Sequence, residues 1–336
     1  MERLWSAGVS IIVWLQSLGP GLTTPMRLLS FLGEVEFHLL VMPALYWCWD
    51  ARKGLRLGVL LMLSAGLNEA LKVVFHQPRP FWVSSAVEAL SVETTFGLPS
   101  GHSQQAVCVW GWLAHQMHRA WAWVLAVLLI VLIGVSRVYL GVHFPHCLLV
   151  GAAVGAALLW AFVHWEPRAS AWLARANWVQ QVGLSLLGSL SLLGLAEAAV
   201  ASLRGWSVPS SWAQAVLEHA GEPIEATASV YAIMSAGVLF GLGTGATWLR
   251  RRGGFSAKGS VLQRLLRYVL GIAVVAALWF GPQAAFTKDL GPVVLVLRYL
   301  HAALLGFWVA CGAPLLFRQL RIAHQGCGVS VASDFV

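Results

Sequence analysis

The sequence predicts an all-α, polytopic membrane helical bundle of about nine transmembrane helices, preceded by an N-terminal interfacial helix. Hydrophobic residues fill 58% of the 336 positions and charged residues only 11%, whereas an average soluble domain is about 25% charged. Mean hydropathy is +0.73. The apolar residues also gather into runs near the ~20 residues that a helix needs to cross a bilayer.

The opening stretch LWSAGVSIIVWLQSLG is shorter than a span, is bounded by Gly and Pro, and follows Glu2 and Arg3 without a small-residue cleavage site behind it. It reads as an interfacial helix rather than a cleaved signal peptide. Candidate spans follow at 28–48, 57–76, 103–118, 121–136, 146–165, 182–203, 228–249, 266–286 and 292–316. The run at 103–118 carries Gln104, Gln105, His115 and Gln116, so it has to face protein or water rather than lipid. Gly151-x3-Gly155 and Gly241-x3-Gly245 predict close helix packing. No repeat of solenoid period is visible. The chain reads as one membrane domain, with a polar-rich core over 1–165 and four additional helices over 166–336 packed on it.

A net charge of +8 would suggest nucleic acid in a soluble protein; in a membrane protein it is distributed loop by loop, with Lys and Arg in excess on the cytoplasmic side. Arg52, Lys53, Arg56, Arg119, Arg168, Arg175, Arg250, Arg251, Arg252, Lys258, Arg264, Arg318 and Arg321, with Arg267 at a helix edge, fall on one side of the predicted spans. Arg3, Arg27, Arg79, Arg137, Arg204 and Lys288 fall on the other, which is therefore expected to be exoplasmic, periplasmic or luminal. No nucleic-acid partner is expected, and membrane lipids surround the chain. Cys48, Cys108, Cys147, Cys311 and Cys327 show no paired spacing, which indicates neither a disulfide framework nor a zinc site.

Polar residues cluster on the exoplasmic side. KVVFHQPRP, Lys72 to Pro80, ends the second span, and LPSGHSQ, Leu98 to Gln104, opens the third. Alone, Lys72 and Arg79 could be snorkelling to headgroups, and Pro-Ser-Gly is ordinary turn chemistry. Set before a helix, however, the turn offers backbone N–H groups to an anion. With Lys72, Arg79 and Arg137 around it, such a nest suits phosphate. Phosphoryl transfer further needs an in-line nucleophile and a proton donor for the leaving oxygen. His102 and His143 can fill those roles, whereas the histidines lacking such cationic company read as structural.

Lys72-x6-Arg79-Pro80, Pro99-Ser100-Gly101-His102 and Ser136-Arg137-x5-His143 resemble, in order, the three signature motifs of the type 2 phosphatidic acid phosphatase superfamily. The resemblance covers about residues 25–165 and implies a helical core with a phosphatase site near the membrane surface that needs no metal or other cofactor. It implies that His143 is the nucleophile that forms a phosphohistidine, and that His102 protonates the leaving oxygen and then activates water. Lys72, Arg79, Ser100, Gly101 and Arg137 would hold the phosphoryl oxygens.

The superfamily pattern ends in His-x3-Asp, the Asp orienting the nucleophilic imidazole, and here that position is Cys147, a weak acceptor. His143-Phe144-Pro145-His146-Cys147 and the aromatic pair Phe81-Trp82 after Arg79-Pro80 are similar to the glucose-6-phosphatase branch, which lacks that Asp as well. The imidazole Nδ1 could then be held by a backbone carbonyl or by His146. The leading expectation is a phosphatase acting on a lipid or polyprenyl phosphate, ahead of one acting on a sugar phosphate; a catalytically silent phospholipid-binding protein and a phosphotransferase with an acceptor other than water stay open. A gap between spans would admit a lipid tail, and a cup roofed by the loop at 81–98 would favour a sugar.

Overall fold

Apolar helix formers and well-placed caps make this chain helical almost throughout, and no strand occurs among the described residues. The computed structural model describes residues 2–221, 223–224, 230–282 and 293–326; Lys288, Cys327 and the end of the predicted run at 266–286 lie outside them.

In chain order the helices are α1 (Glu2–Gln16), α2 (Thr23–Phe31), α3 (Val35–Ala44), α4 (Ala51–Phe75), α5 (Pro80–Val83), α6 (Gly101–Ala106), α7 (Trp112–Met117), α8 (Ala120–Tyr139), α9 (Pro145–Arg175), α10 (Trp178–Ser202), α11 (Ser210–Ala220), α12 (Val230–Arg251), α13 (Val261–Phe280), α14 (Val293–Phe307) and α15 (Ala313–Gln319). Their starts follow elementary capping rules. Asp50 Oδ1 accepts the Arg52 and Lys53 N–H groups at 2.9 and 3.0 Å to open α4. Ser260 and Gln263 form a capping box on α13, and α5 and α9 begin on Pro80 and Pro145, where the missing N–H costs nothing.

Among the described residues, seven helices are long and apolar enough to cross a membrane, or up to eight if one bent pair counts as a span. This is an integral membrane protein, but two of the nine predicted spans differ in form. The run at 28–48 is broken into Pro20–Phe31 and Val35–Trp49, bent by 48°. The break falls at Gly33 and Glu34, where a Cβ on Gly33 would come within 2.8 Å of the His102 ring. The run at 103–118 becomes α6, a π-helical turn at Val107–Gly111, and α7. It falls short of 18 residues, and Gln104 within it is fully buried, as its polarity requires.

The chain forms two compact units. The first comprises Met1–Phe37, Leu67–Ala161 and Gly194–Ser229. Its apolar core joins Ile12 of α1, Phe81 and Trp82 of α5, Val138 and Tyr139 of α8, and Phe96, Val142 and Phe144 from the connecting segments. An aromatic cluster extends this core: Phe96 packs edge-on to Trp206 at 5.8 Å, and Trp82 meets Phe96 and Trp212 at 6.2 and 6.3 Å. The opening helix is tied to the same core, since Gln16 donates to Glu88 O at 2.8 Å and Tyr139 O at 2.9 Å. Gly151 and Gly155 let α9 pass so close to α6 that a Cβ at either would strike the backbone oxygen of Ser100 or Gln104.

The second unit comprises His38–Gly66, Phe162–Leu193 and Val230–Val336. Here α12 and α14 pack backbone to backbone through Gly241 and Gly306. Trp47 and Tyr46 donate to Val309 O and Ala310 O at 3.0 and 2.9 Å, and Arg56 pairs with Glu166 at 2.9 Å. The π-helical turn Trp308–Gly312 leads from α14 into α15.

Candidate active site

Helix ends and short connections of the first unit deliver the polar residues to one place. Lys72 stands in the last turn of α4, Arg79 caps α5, Arg137 lies in the last turn of α8, and His143 sits just before Pro145 opens α9. Arg79, Arg137 and His143 are almost wholly buried, at 1%, 2% and 2% exposure. Buried charges persist only when paired and hydrogen-bonded, and both arginines are.

Arg79 is held by four oxygens of the chain. Its Nε donates to Thr95 O at 2.6 Å, Nη1 to Val142 O at 3.0 Å, and Nη2 to Thr95 Oγ1 at 3.1 Å and Phe96 O at 3.3 Å. Lys72 Nζ donates to Glu69 Oε1 at 2.9 Å, the pairing that their i,i+3 spacing offers, and to Thr95 Oγ1 at 3.3 Å. Arg137 donates through Nη1 to Ser30 Oγ at 2.7 Å. Its Nη2 pairs with Glu93 Oε1, and Glu93 Oε2 lies 3.6 Å from Arg79 Nη2. One carboxylate thus bridges two buried guanidinium groups.

The partners of His143 fix its tautomer. Nδ1 lies 2.8 Å from Gly97 O and Nε2 lies 3.2 Å from Arg79 Nη1. A carbonyl can only accept and a guanidinium can only donate, so Nδ1 carries the proton and Nε2 presents its lone pair. Burial first, and then the positive charge of Arg79, Arg137, His102 and Lys72, hold the His143 pKa well below the ordinary imidazole value. For Glu93, burial by itself would raise the carboxyl. Arg79 and Arg137, with His102 and Lys72 behind them, outweigh burial and bring it down to about 2.

The PSGH turn is anchored independently. Ser100 N donates to Cys147 O at 3.0 Å, and Ser100 Oγ caps the N-terminus of α6 by accepting from Ser103 N. Asn68, one turn before Lys72, donates to Pro99 O at 3.3 Å and to Gln104 Oε1 at 2.9 Å. Gly101 faces Asn68, and a Cβ there would lie 2.9 Å from its Oδ1. His102 acts electrostatically on both Glu93 and His143.

Every candidate site residue therefore lies in the first unit, but the two orienting candidates stand elsewhere than expected. The atom on Nδ1 is the Gly97 carbonyl. Cys147 is buried and contributes its backbone oxygen to Ser100, while the His146 ring stacks on Phe144 with centroids 5.4 Å apart. Glu93, Thr95 and Gly97, all from the segment between α5 and α6, are absent from the sequence reading. The signal available for them is the second of two carboxylates, Glu88 and Glu93, ahead of the PSGH turn.

Known proteins resemble both parts of the chain. Residues 53–171 match the model described as the PAP2 superfamily, and residues 233–325 match the one described as PAP2 superfamily phosphatase, transmembrane extension. Lipid phosphate phosphatase delta of Arabidopsis thaliana is 28% identical over 168 residues, 45% of this chain and 40% of its own length. Glucose-6-phosphatase 3 of Bos taurus is 29% identical over 192 residues, 50% of this chain and 55% of its own. Phosphatidylglycerophosphatase B of Bacillus subtilis is 35% identical over 114 residues, 30% of this chain and 54% of its own. The chain thus spans about half the length of these curated relatives. With the motif residues Lys72, Arg79, His102, Arg137 and His143 falling inside the first matched region, the chain carries a PAP2 superfamily domain, followed by that superfamily's transmembrane extension.

Proposed function

We propose that this protein is a membrane phosphatase that hydrolyses a phosphomonoester through a phosphohistidine on His143, using the protein's own side chains without a metal. The carrying observation is the tautomer of His143: its proton sits on Nδ1 toward Gly97 O, and its Nε2 lone pair faces the cation cluster. A neutral imidazole with Nε2 available is the form a nucleophile needs.

In the first step Nε2 attacks phosphorus and the P–O bond to the leaving group breaks, with His102 delivering a proton to the departing oxygen. In the second, His102 takes a proton from water, the resulting hydroxide attacks phosphorus, and the P–N bond breaks to release inorganic phosphate and the Nε2 lone pair. Lys72, Arg79 and Arg137, with the N–H groups at Ser100, Gly101 and His102, hold the phosphoryl oxygens through both steps. Arg79 transfers its Nη1–H from Nε2 to a phosphoryl oxygen as substrate enters. The Gly97 carbonyl takes the orienting role that an Asp has in the superfamily pattern, which favours an active enzyme over a silent lipid-binding protein.

A lipid or polyprenyl phosphate is the leading substrate class, in keeping with an integral membrane protein and with relatives named for lipid phosphates. A sugar phosphate is the second reading. It is favoured by the segment 84–98, whose Glu93 and Thr95 sit on the arginines, and by the similarity to glucose-6-phosphatase 3. The excess of Lys and Arg on the opposite side supports an exoplasmic site.

The test is phosphate release by purified protein in detergent with EDTA, on phosphatidate and on glucose 6-phosphate, with wild type beside His143→Ala. Turnover is expected in wild type and is expected to fall by a factor of about 10⁴ or more in the variant, as for loss of a nucleophile in other covalent hydrolases. The preferred substrate chooses between the two readings, and equal rates in both proteins would sink the mechanism.

A further inference from the structure

Glu93 stands where the chemistry of the site calls for an anion from outside. Its Oε1 takes Arg137 Nη2 and its Oε2 lies 3.6 Å from Arg79 Nη2, so its two oxygens meet two guanidinium groups as two oxygens of a phosphoryl group would. The arginines are 1% and 2% exposed, but the Glu93 side chain is 30% exposed. The arginines are thus enclosed, whereas the Glu93 side chain is in part open to the outside.

The anchoring has the same asymmetry. The bonds of Arg79 to Thr95 O, Val142 O and Phe96 O, and of Arg137 to Ser30 Oγ, are made without Glu93. Glu93 itself lies on a short tether. Leu90 O before it is held by Arg27 Nη2 at 3.0 Å, and Thr95 O after it by Arg79 Nε at 2.6 Å. Only residues 91–94 have to move to carry the carboxylate away, and Val92 is already 42% exposed. Charge explains why such an occupant is useful: Glu69 answers Lys72, Glu34 also acts on Arg137, and removing Glu93 takes away the carboxylate that bridges the two buried guanidinium groups, which is costly. A phosphoryl dianion brings more negative charge than a carboxylate and can take the carboxylate's place.

We propose that Glu93 is the resident anion of the phosphate site, neutralising Arg79 and Arg137 in the empty enzyme and displaced from both, with residues 91–94, by the phosphoryl group of the substrate. The inference rests on the phosphatase reading only for the identity of the displacing group. Glu93 acts here as a positioning residue and an internal competitor, and it touches no reacting atom.

The probe is inorganic phosphate, with its dissociation constant measured on the full-length protein in detergent without any turnover. When a competing conformation is removed, apparent affinity rises by the inverse of the competent fraction, so Glu93→Gln should bind phosphate about tenfold tighter or more than wild type. KM for substrate should fall in parallel while kcat does not rise. Unchanged or weaker phosphate binding in a Glu93→Gln protein that melts like wild type overturns the proposal. Should that variant fail to fold, the wild-type structure with vanadate bound decides. Glu93 beyond hydrogen-bond distance of both arginines supports displacement, and Glu93 still on them beside the bound anion refutes it. Phosphate binding that tightens in Glu93→Gln, in a protein whose phosphate release does not depend on His143, would defeat the phosphatase reading and leave this one standing.

Discussion

His143 shows how much chemistry two hydrogen bonds can decide. With Gly97 O on one ring nitrogen and Arg79 on the other, only the neutral Nδ1–H tautomer satisfies both partners. Burial and the surrounding cations favour the same neutral form. Because the folded-state pKa is lowered, the imidazole stays uncharged as pH falls through about 6.5, where an unperturbed histidine takes up its proton. Side-chain ¹⁵N NMR of histidine-labelled protein should therefore show an imidazole still neutral at pH 6 whose signal disappears in His143→Ala. A His143 resonance titrating near 6.5 would contradict the assignment. The same geometry makes a prediction at Cys147. If the Gly97 carbonyl orients the ring, Cys147→Ala should keep turnover within about twofold of wild type. A side chain that oriented the ring would cost nearer the ~10⁴-fold seen when a triad Asp is made Asn.

At the scale of elements, the site depends on how closely α9 approaches α6. His143 precedes α9, the PSGH turn precedes α6, and Ser100 N bonding to Cys147 O joins the two helix starts. That bond requires a residue without a side chain one helical turn further on, at Gly151, where a Cβ would strike Ser100 O. Gly151→Ala should therefore destabilise the protein by about 1–3 kcal/mol, the usual cost of overpacking, and should weaken phosphate binding by shifting the turn. Gly183 in α10 is the matched control, because a Cβ there meets nothing within 4 Å. Gly183→Ala should leave stability unchanged or slightly improved, as alanine is the better helix former. Thermal melts in detergent compare the two, and equal losses would remove the packing argument. The break at Gly33 and Glu34 belongs to the same scale. The apolar run at 28–48 predicts one span, but Gly33 lies against the His102 ring and the chain bends by 48° there.

At the scale of the whole molecule, the lipid environment is dictated by composition, and the direction of insertion by where Lys and Arg fall. The proposed orientation predicts that an impermeant maleimide added outside intact cells labels Ser85→Cys, in the segment between α5 and α6, and does not label Lys258→Cys, between α12 and α13, each in a cysteine-free background. The reverse pattern would invert the topology. The first unit holds the motif residues together with α10's last turns and α11, so the polar site and its aromatic support from Trp206 and Trp212 come from distant parts of the chain.

The sequence by itself determined what is local. Hydropathy marks lipid-spanning helices because each run must satisfy its own backbone in a medium without water. The motif residues were legible because each group is contiguous: Lys72 with Arg79, Ser100 with Gly101 and His102, Arg137 with His143. Only the tertiary structure decided what depends on atoms without residue identity or on segments without periodicity. The Gly97 carbonyl that faces His143 Nδ1 is a group every residue carries, so no side-chain pattern announces it. Glu93 lies in an irregular connection, where neither the 3.6-residue repeat of helices nor a capping rule says which way a side chain turns. Two buried arginines drew it in, because a pair of desolvated like charges requires an anion between them.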